Sequence, residues 1–321
     1  MRTLLGVEMR RCLARRLSRA LIGVAVLASV VAGATTFANT EEFRPEGSAE
    51  RRARRDAAVA ECTAAMGSGE GSSGGVVIVG RGGRRASPEE LRRICQRSVP
   101  PDVDQSLHLT DLWSADGSDD SVWAVTSVFL AIGALIGAAS MVGAEWKAGT
   151  MTTVLTWEPR RARLAVAKLA AVGLLAAAVS VALQLVLAGA LLPTMAAKGT
   201  TSGADGEWLR AAAGGLGRSG ALAALAAVVG AGVAMVGRST AAALGAAFAY
   251  LAIGESILRA WKPEQSRWLL GENATIFLTG RRLDGAPFER PVALATVTLV
   301  GYALAVVAAA TASLRSRDVA A

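Results

Sequence analysis

The sequence predicts an all-α polytopic membrane protein with six transmembrane helices. Of its 321 residues, 52% are hydrophobic, and the mean hydropathy is +0.41. Charge is almost absent from six runs of 16 to 29 residues, and an α-helix needs about 20 apolar residues to cross a hydrocarbon core of roughly 30 Å. Such runs exclude a soluble enzyme, a disordered chain and a secreted domain. The predicted transmembrane helices cover residues 20–40, 121–144, 164–193, 219–237, 239–258 and 291–314.

The distribution of charge predicts that both termini are cytoplasmic. With the N-terminus inside, the inner segments hold 14 cations and 4 anions, whereas the outer segments hold 20 cations and 22 anions. This asymmetry follows the positive-inside rule, from which long translocated loops are exempt. The net charge of +8 does not indicate nucleic-acid binding. The basic clusters flank the spans, where Arg contacts membrane lipids, and neither a zinc-ligand cluster nor a recognition-helix pattern accompanies them.

Residues 1–19 are predicted to form a cytoplasmic amphipathic helix at the membrane interface. Its apolar and basic residues fall on opposite sides at helical spacing, and an equally supported alternative is a cytoplasmic extension of the first span. A signal peptide with a cleavage site at residues 32–34 is another alternative, but the apolar run continues to Phe37 and is long enough to span. The apolar side holds Leu4, Leu5, Met9, Leu13 and Leu17, and the basic side holds Arg10, Arg11, Arg15 and Arg16.

Residues 41–120 form the one sizeable soluble region, an acidic extracellular loop with two predicted helices. The first covers about residues 49–65, and the second begins with the capping sequence at Ser87. Cys62 and Cys95 lie in these helices, on the side of the membrane where disulfides persist. A bond between them would close a 34-residue loop and contribute roughly 3 to 4 kcal/mol. The alternative is two unpaired thiols, and Cys12 is expected inside and reduced.

The apolar stretch 219–254 contains a single charge, Arg238. As one helix it would measure roughly 54 Å, far beyond the hydrocarbon core. It must therefore be a hairpin, with Arg238 at the inner turn and Ser239 or Thr240 capping the returning helix. Extracellular loops are predicted at 194–218 and 259–290, and a cytoplasmic tail at 315–321.

Glu255 lies at the outer end of the predicted fifth span, near Arg259. One interpretation is an interfacial ion pair between the two side chains. The other is a polar intramembrane site that contacts cargo or forms a gate, because ionisable groups at membrane depth tend to have functions.

The segment 145–163 joins the second and third spans and is the part of the chain most informative about function. Gly149 is expected to end the second span, and Thr150 to cap a new helix of about seven residues. Pro159 ends that helix and can open the next one. A short rigid helix between two spans suits docking to a cytoplasmic partner, whereas the alternative is an ordinary charged loop. Basic residues are predicted to anchor the third span at the headgroups: Arg160, Arg161, Arg163 and Lys168.

This segment resembles the signature of type-two ABC (ATP-binding cassette) transporter permeases. The resemblance lies in G-x-E-x(3)-G-T from Gly143, followed by Leu155, Pro159-Arg160 and Lys168. The six-span layout, the basic N-terminus and the hairpin around Arg238 are similar too. The outer loop with two cysteines resembles an actinobacterial branch of the family. The positions carried over as ATPase-coupling residues are Glu145, Gly149, Thr150, Pro159, Arg160 and Arg161.

The resemblance implies a permease subunit in a bacterial plasma membrane, exporting a lipid, a hydrophobic drug or a peptide. It would work with two copies of a cytoplasmic ABC ATPase subunit and with a second permease copy or a homologue. The sequence contains no G-x(4)-G-K-[ST] phosphate loop, so ATP and Mg are expected on the ATPase, and this chain is expected to bind no cofactor.

No catalytic residues or metal ligands are predicted, because the chain has a single histidine, His108, and no metal-ligand spacing. The chain is therefore not expected to be an enzyme. An alternative function is a non-transport membrane sensor or assembly protein whose extracellular loop binds a partner.

Overall fold

The computed structural model describes residues 2–39, 48–68, 88–98, 122–157, 160–198, 204–279 and 290–316. Every regular element in these ranges is a helix, and six helices are long and apolar enough to cross a membrane. The predicted fold class, an all-α polytopic membrane protein, is thus confirmed. The chain divides into two compact units, residues 41–107 and the remainder, and each is described by itself.

The six long helices are called spans one to six. Spans three and four contain 38 and 32 residues, about 57 and 48 Å of helix. They therefore take up most of segment 194–218, which the sequence predicts as a loop. Span four begins after Asp205, whose carboxylate accepts hydrogen bonds from the backbone N–H groups of Glu207 and Trp208. The spans are Arg16–Asn39, Val122–Lys147, Arg161–Lys198, Gly206–Gly237, Thr240–Trp261 and Val292–Ser316.

A separate N-terminal helix, Arg2–Ala14, precedes span one and is divided from it by a bend at Arg15. This break favours a distinct helix over an extension of the first span. The helix buries Glu8 and Cys12, four residues apart, while Leu13 is 44% exposed. Among the described side chains of this helix, Glu8 and Cys12 pack on the protein, whereas Leu13 is largely open.

Spans two, three and four form the centre of the membrane unit. Half of the most apolar window of span four is buried, compared with 6% for span one. Small residues permit the close packing: a Cβ added to Gly230 would overlap the backbone of Leu135 on span two. Close approach of backbones is the usual basis of helix association in lipid, where apolar side chains gain little by leaving the hydrocarbon.

A buried polar cluster ties the three central spans together. Gln184 of span three is fully buried, and its amide group donates hydrogen bonds to Thr126 Oγ1 at 3.1 Å and to Ser127 Oγ at 3.0 Å, both on span two. Ser180 and Ser219 share a hydrogen bond of 3.2 Å between spans three and four. These partners satisfy polar groups that would otherwise be costly in an apolar interior.

Span five is not a continuous α-helix. It consists of Thr240–Phe248, a π-helical turn at Ala249–Gly254, and Glu255–Trp261. A 3₁₀ turn at Pro263–Trp268 leads to a further helix, Leu270–Thr279, here called the return helix. The return helix buries five residues: Glu272, Asn273, Ile276, Phe277 and Leu278. The segment 259–290, which the sequence predicts as a loop, thus contributes to the core.

The second unit contains helices Ser48–Ser68 and Pro88–Ser98. A disulfide joins Cys62 to Cys95, whose Cα atoms are 5.9 Å apart, and the predicted bond is confirmed. Ser87, the predicted cap of the second helix, lies outside the described residues.

Candidate functional site

Several helices meet at one end of the membrane unit, which we call the basic end. Arg15, at the bend before span one, donates a hydrogen bond of 3.0 Å to the carbonyl oxygen of Met141 on span two. Arg161, at the start of span three, donates one of 3.1 Å to the carbonyl oxygen of Leu314, near the end of span six. Leu314 lies in the last turn of span six, where carbonyl groups lack an intrahelical partner and a cation can satisfy them. Arg161 therefore secures span six, in addition to its predicted place at the start of span three.

The turn between spans four and five lies at the same end. Arg238 takes a left-handed conformation with φ 52°, and Ser239 caps the next helix by accepting a hydrogen bond from the N–H of Ala242. The sequence places both residues correctly. The Arg238 guanidinium also lies 4.8 Å from the centre of the Trp146 ring on span two. Span two approaches this turn closely, because a Cβ added to Gly143 would overlap the backbone of Thr240.

The basic end contains three buried charged side chains, which we call the ion triad: Glu8, Glu145 and Lys168. The Lys168 Nζ atom lies 2.9 Å from Glu8 Oε2, to which it donates a hydrogen bond, and 2.7 Å from Glu145 Oε2. The second contact is an ion pair without hydrogen-bond geometry. The Lys168 side chain is fully buried, and those of Glu8 and Glu145 are 3% and 11% exposed.

The predicted headgroup role of Lys168 is wrong. Lys168 lies seven residues after Arg161, about 10 Å further along the helix, and its position there is enclosed by protein. A buried ammonium group is tolerated only when it is paired with an opposite charge, and two carboxylates supply that pairing.

Cys12 lies on the N-terminal helix, one turn after Glu8, and is a buried free thiol. Burial raises the pKa of the Cys12 thiol from 9.0 to about 11, and the charge of Glu8 adds to the shift. A thiol that keeps its proton is a poor nucleophile, so this cysteine belongs to the packing of the basic end.

The short helix predicted after span two is present at Thr150–Trp157. Gly149 has φ 66° and ends span two, in the left-handed conformation that glycine adopts readily. Thr150 is the first residue of the short helix, and its hydroxyl donates a hydrogen bond of 3.3 Å back to the carbonyl oxygen of Glu145. Met151, only 1% exposed, packs into the same apolar cluster that contains Cys12.

The remainder of the short helix is more open. Thr153 and Thr156 are exposed, and Val154 is half-buried. Arg160 is exposed as well, and its carbonyl oxygen accepts the first hydrogen bond of span three, from the N–H of Leu164. Pro159 and the side chain of Leu155 lie outside the described residues. Among its described side chains, the short helix has a buried anchor in Met151 and an exposed face in Thr153 and Thr156, and it lies between two spans.

The structure brings together most of the residues predicted to couple to an ATPase. Glu145, Gly149 and Thr150 lie together at the end of span two, with Arg160 and Arg161 at the start of span three. Glu8 was missed, although it is the one acidic residue among the first 19. A single carboxylate in a strongly basic segment could have indicated a buried partner.

Glu255 lies elsewhere in the membrane unit, beside the return helix. It is 5% exposed, and Oε1 accepts a hydrogen bond of 2.8 Å from the N–H of Gly271. Arg259 bridges two carboxylates, at 3.5 Å from Glu255 Oε2 and 3.0 Å from Glu272 Oε2. We call Glu255, Arg259 and Glu272 the return clasp. The contact between Arg259 and Glu255 is the ion pair that one of the two sequence interpretations expects.

Among the described residues, no group of three or more His, Cys, Asp and Glu side chains could hold a metal ion. His108 lies outside the described ranges.

Comparisons with protein-family models, with curated proteins and with solved structures find no match to this chain. The expected family therefore rests on the residues of the 145–163 segment and on the layout of the spans.

Proposed function

We propose that this protein is the membrane-spanning permease subunit of an ABC transporter, driven by a separate ATPase subunit that docks on the 145–163 segment. The observation that carries the proposal is the short helix Thr150–Trp157. It lies between spans two and three, has an exposed face at Thr153 and Thr156, and is held by the buried Met151. An ATPase subunit can bind the exposed face of such a helix. Movement of the helix is then transmitted to the core through Met151.

The covalent connections make such transmission direct. Gly149 joins the short helix to span two, and Arg160 joins the following segment to span three. ATP binding would close two ATPase subunits, displace the short helices of two permease copies and shift spans two and three between inward-facing and outward-facing states. Binding energy can drive the switch only through contacts that differ between the two states. An exposed helix joined to two spans offers such contacts.

The resemblance supports export over import, with a lipid, a hydrophobic drug or a peptide as cargo. It also supports a bacterial plasma membrane and cytoplasmic termini, which agree with the charge asymmetry of the sequence. The exposed apolar side chains of span one, among them Val24 and Leu27 at 65% and 63% exposure, provide surface for lipids or for the second copy.

The disulfide-linked unit at residues 41–107 favours a second candidate, a membrane sensor or assembly protein that binds a partner there. Replacing residues 48–98 with a Gly/Ser linker separates the two. A transporter would retain its ATPase, whereas a sensor of this kind would lose its partner.

The main test is co-purification of the tagged full-length chain from its native membranes, followed by mass spectrometry. The expected result is a protein carrying the phosphate-loop motif, in a complex of two permease copies and two ATPase subunits, with MgATP hydrolysis. Thr153→Arg places a charge on the exposed face of the short helix and should abolish the complex. Ser316→Arg is the matched control, because it adds the same charge to an exposed residue of span six. If no phosphate-loop protein is bound, or if both variants keep it, the proposal fails.

A further inference from the structure

The ion triad joins three helices that are far apart in the sequence. Glu8 belongs to the N-terminal helix, Glu145 to the last turn of span two, and Lys168 to the third turn of span three. One ammonium group contacts both carboxylates, at 2.9 and 2.7 Å. None of the three side chains is more than 11% exposed. Water therefore cannot replace a partner that moves away.

Two arginines lie beside the carboxylates of the ion triad: Arg11 on the N-terminal helix and Arg15 at the bend that follows it. Arg11 lies 3.4 Å from Glu8 Oε1, and Arg15 lies 4.0 Å from Glu145 Oε1. Glu145 is thus held from two sides, by the ammonium group of span three and by a guanidinium at the bend before span one. Moving span three alone would separate two buried carboxylates from their shared counter-ion, and moving either of the other helices alone would break one of the two buried ion pairs.

The triad also connects to the short helix. The Glu145 carbonyl oxygen accepts the hydrogen bond of the Thr150 hydroxyl, and Met151 shares its apolar cluster with Cys12 of the N-terminal helix. A physical path therefore runs from the short helix through Glu145 and Lys168 to Glu8.

We propose that Lys168 is a positioning residue that couples the N-terminal helix to the 145–163 segment, so that the two move as one body. The use of this coupling in transport rests on the proposed function, in which an ATPase displaces the short helix. The coupling itself is a property of this chain. It would extend the displacement from spans two and three to the N-terminal helix and, through Arg15, to the start of span one.

The reactivity of Cys12 reports whether the N-terminal helix is packed against the protein. It is fully buried one turn from Glu8, and it is the free thiol of the chain, since the other two of the three cysteines form the disulfide. A reagent in solution reaches it only when the helix leaves its place. The rate of alkylation thus measures local opening.

The first measurement is alkylation of the full-length chain by iodoacetamide at neutral pH without reductant. Lys168→Met should raise the rate at least about tenfold, because it removes the counter-ion shared by two buried carboxylates. Glu145→Gln, which keeps the side-chain shape, is a milder variant and should raise the rate in the same direction even if Lys168→Met fails to fold. Arg10→Gln removes an exposed cation from the same helix and should leave the rate within about twofold.

The decisive measurement is a double-mutant cycle between the short helix and the ion triad. Met151→Ala loosens the short helix and should raise the alkylation rate of Cys12 several-fold. When Lys168 or Glu145 has already been replaced, Met151→Ala should add little, because the connection has been cut. A simple packing contact between Met151 and Cys12 would give multiplicative effects instead, and that outcome would overturn the proposal.

No ATPase is present in these measurements. If the effects on the alkylation rate are multiplicative, the coupling role of Lys168 is refuted and the docking proposal is unaffected. Failure to find an ATPase would refute the docking proposal and leave the coupling in place.

Discussion

The membrane unit contains two buried clusters of carboxylates and cations, and they differ in what they connect. The ion triad joins Lys168 to Glu8 across 160 positions of sequence. The return clasp joins Arg259 to Glu255 and Glu272, only 4 and 13 positions away. The ion triad holds separate helices against one another, whereas the return clasp folds one connection back onto the span that precedes it.

The two central cations also differ in their access to water. The Lys168 side chain is fully buried, whereas that of Arg259 is 33% exposed. Water can partly replace a cation that is one-third exposed, but it cannot replace one that is fully buried, and a buried charge that loses its partner is costly. The same chemistry should therefore give a large, long-range effect in the ion triad and a small, local effect in the return clasp.

The largest effect is expected for Lys168→Met. Two buried carboxylates lose their shared counter-ion, which should cost about 3 to 5 kcal/mol. The measurement is the apparent melting temperature of the detergent-purified chain, followed by tryptophan fluorescence. Combining Glu8→Met with Lys168→Met should recover part of the loss, because an apolar pair replaces the ion pair. A melting temperature close to wild type for Lys168→Met alone would show that water reaches the site.

Gly143→Ala should have the next largest effect, since the new methyl group would overlap the backbone of Thr240 at the turn between spans four and five. Overpacking of this kind costs about 1 to 3 kcal/mol. Gly133→Ala is the matched control on the same helix, because a Cβ there meets nothing within 4 Å. Equal melting temperatures for the two variants would contradict the close approach at Gly143.

Arg259→Met should cost less than Lys168→Met, because the guanidinium is one-third exposed and water can partly replace it, and because the N–H of Gly271 still donates a hydrogen bond to Glu255. Hydrogen exchange should accelerate in residues 263–279, while alkylation of Cys12 stays unchanged. If Cys12 became more reactive in this variant, the two clusters would not be independent.

The smallest effect concerns the pH dependence of Cys12 alkylation. Burial raises the pKa of this thiol from 9.0 to about 11, so between these values the thiol is protonated while the N-terminal helix is packed and ionised once the helix opens. The packing of the helix is therefore weakened as pH rises from 9 towards 11. The alkylation rate, divided by that of a free thiol, should be constant near neutral pH and about fourfold higher at about pH 9.5. Glu8, Glu145, Lys168 and Arg15 surround the thiol, and a flat ratio would show that the thiol is already open to water.

The sequence predicts the spans well because lipid imposes a length and an apolar composition on them. It predicts their ends less well. Span four begins at Gly206 and carries Glu207, Arg210 and Arg218 within its helix, since charged residues end an apolar run without ending a helix. The return helix was not predicted for the same reason. Glu272 and the other charged residues of this segment suggest a loop, because the sequence does not show that Arg259 neutralises Glu272 in the folded protein.

The basic end shows the limit most clearly. Gly149 is predictable because a left-handed residue at a helix end favours glycine. The contact between Glu8 and Lys168 is not, because their separation in sequence carries no information about which helices become neighbours. The hydrogen bond from the Thr150 hydroxyl back to Glu145 is likewise not predictable, because the sequence alone indicates a cap for the following helix.

The π-helical turn at Ala249–Gly254 gives span five one residue more than an α-helix of the same path would contain. Each residue of an α-helix turns the chain by about 100°. The turn thus absorbs one extra residue locally, and deleting a single residue from it would restore an α-helix on the same path, with Glu255 and Arg259 still facing the return helix. A second deletion would have no extra residue to remove and would rotate both side chains by about 100°, away from the return helix. The return clasp should therefore survive the loss of one codon in this turn but not the loss of two.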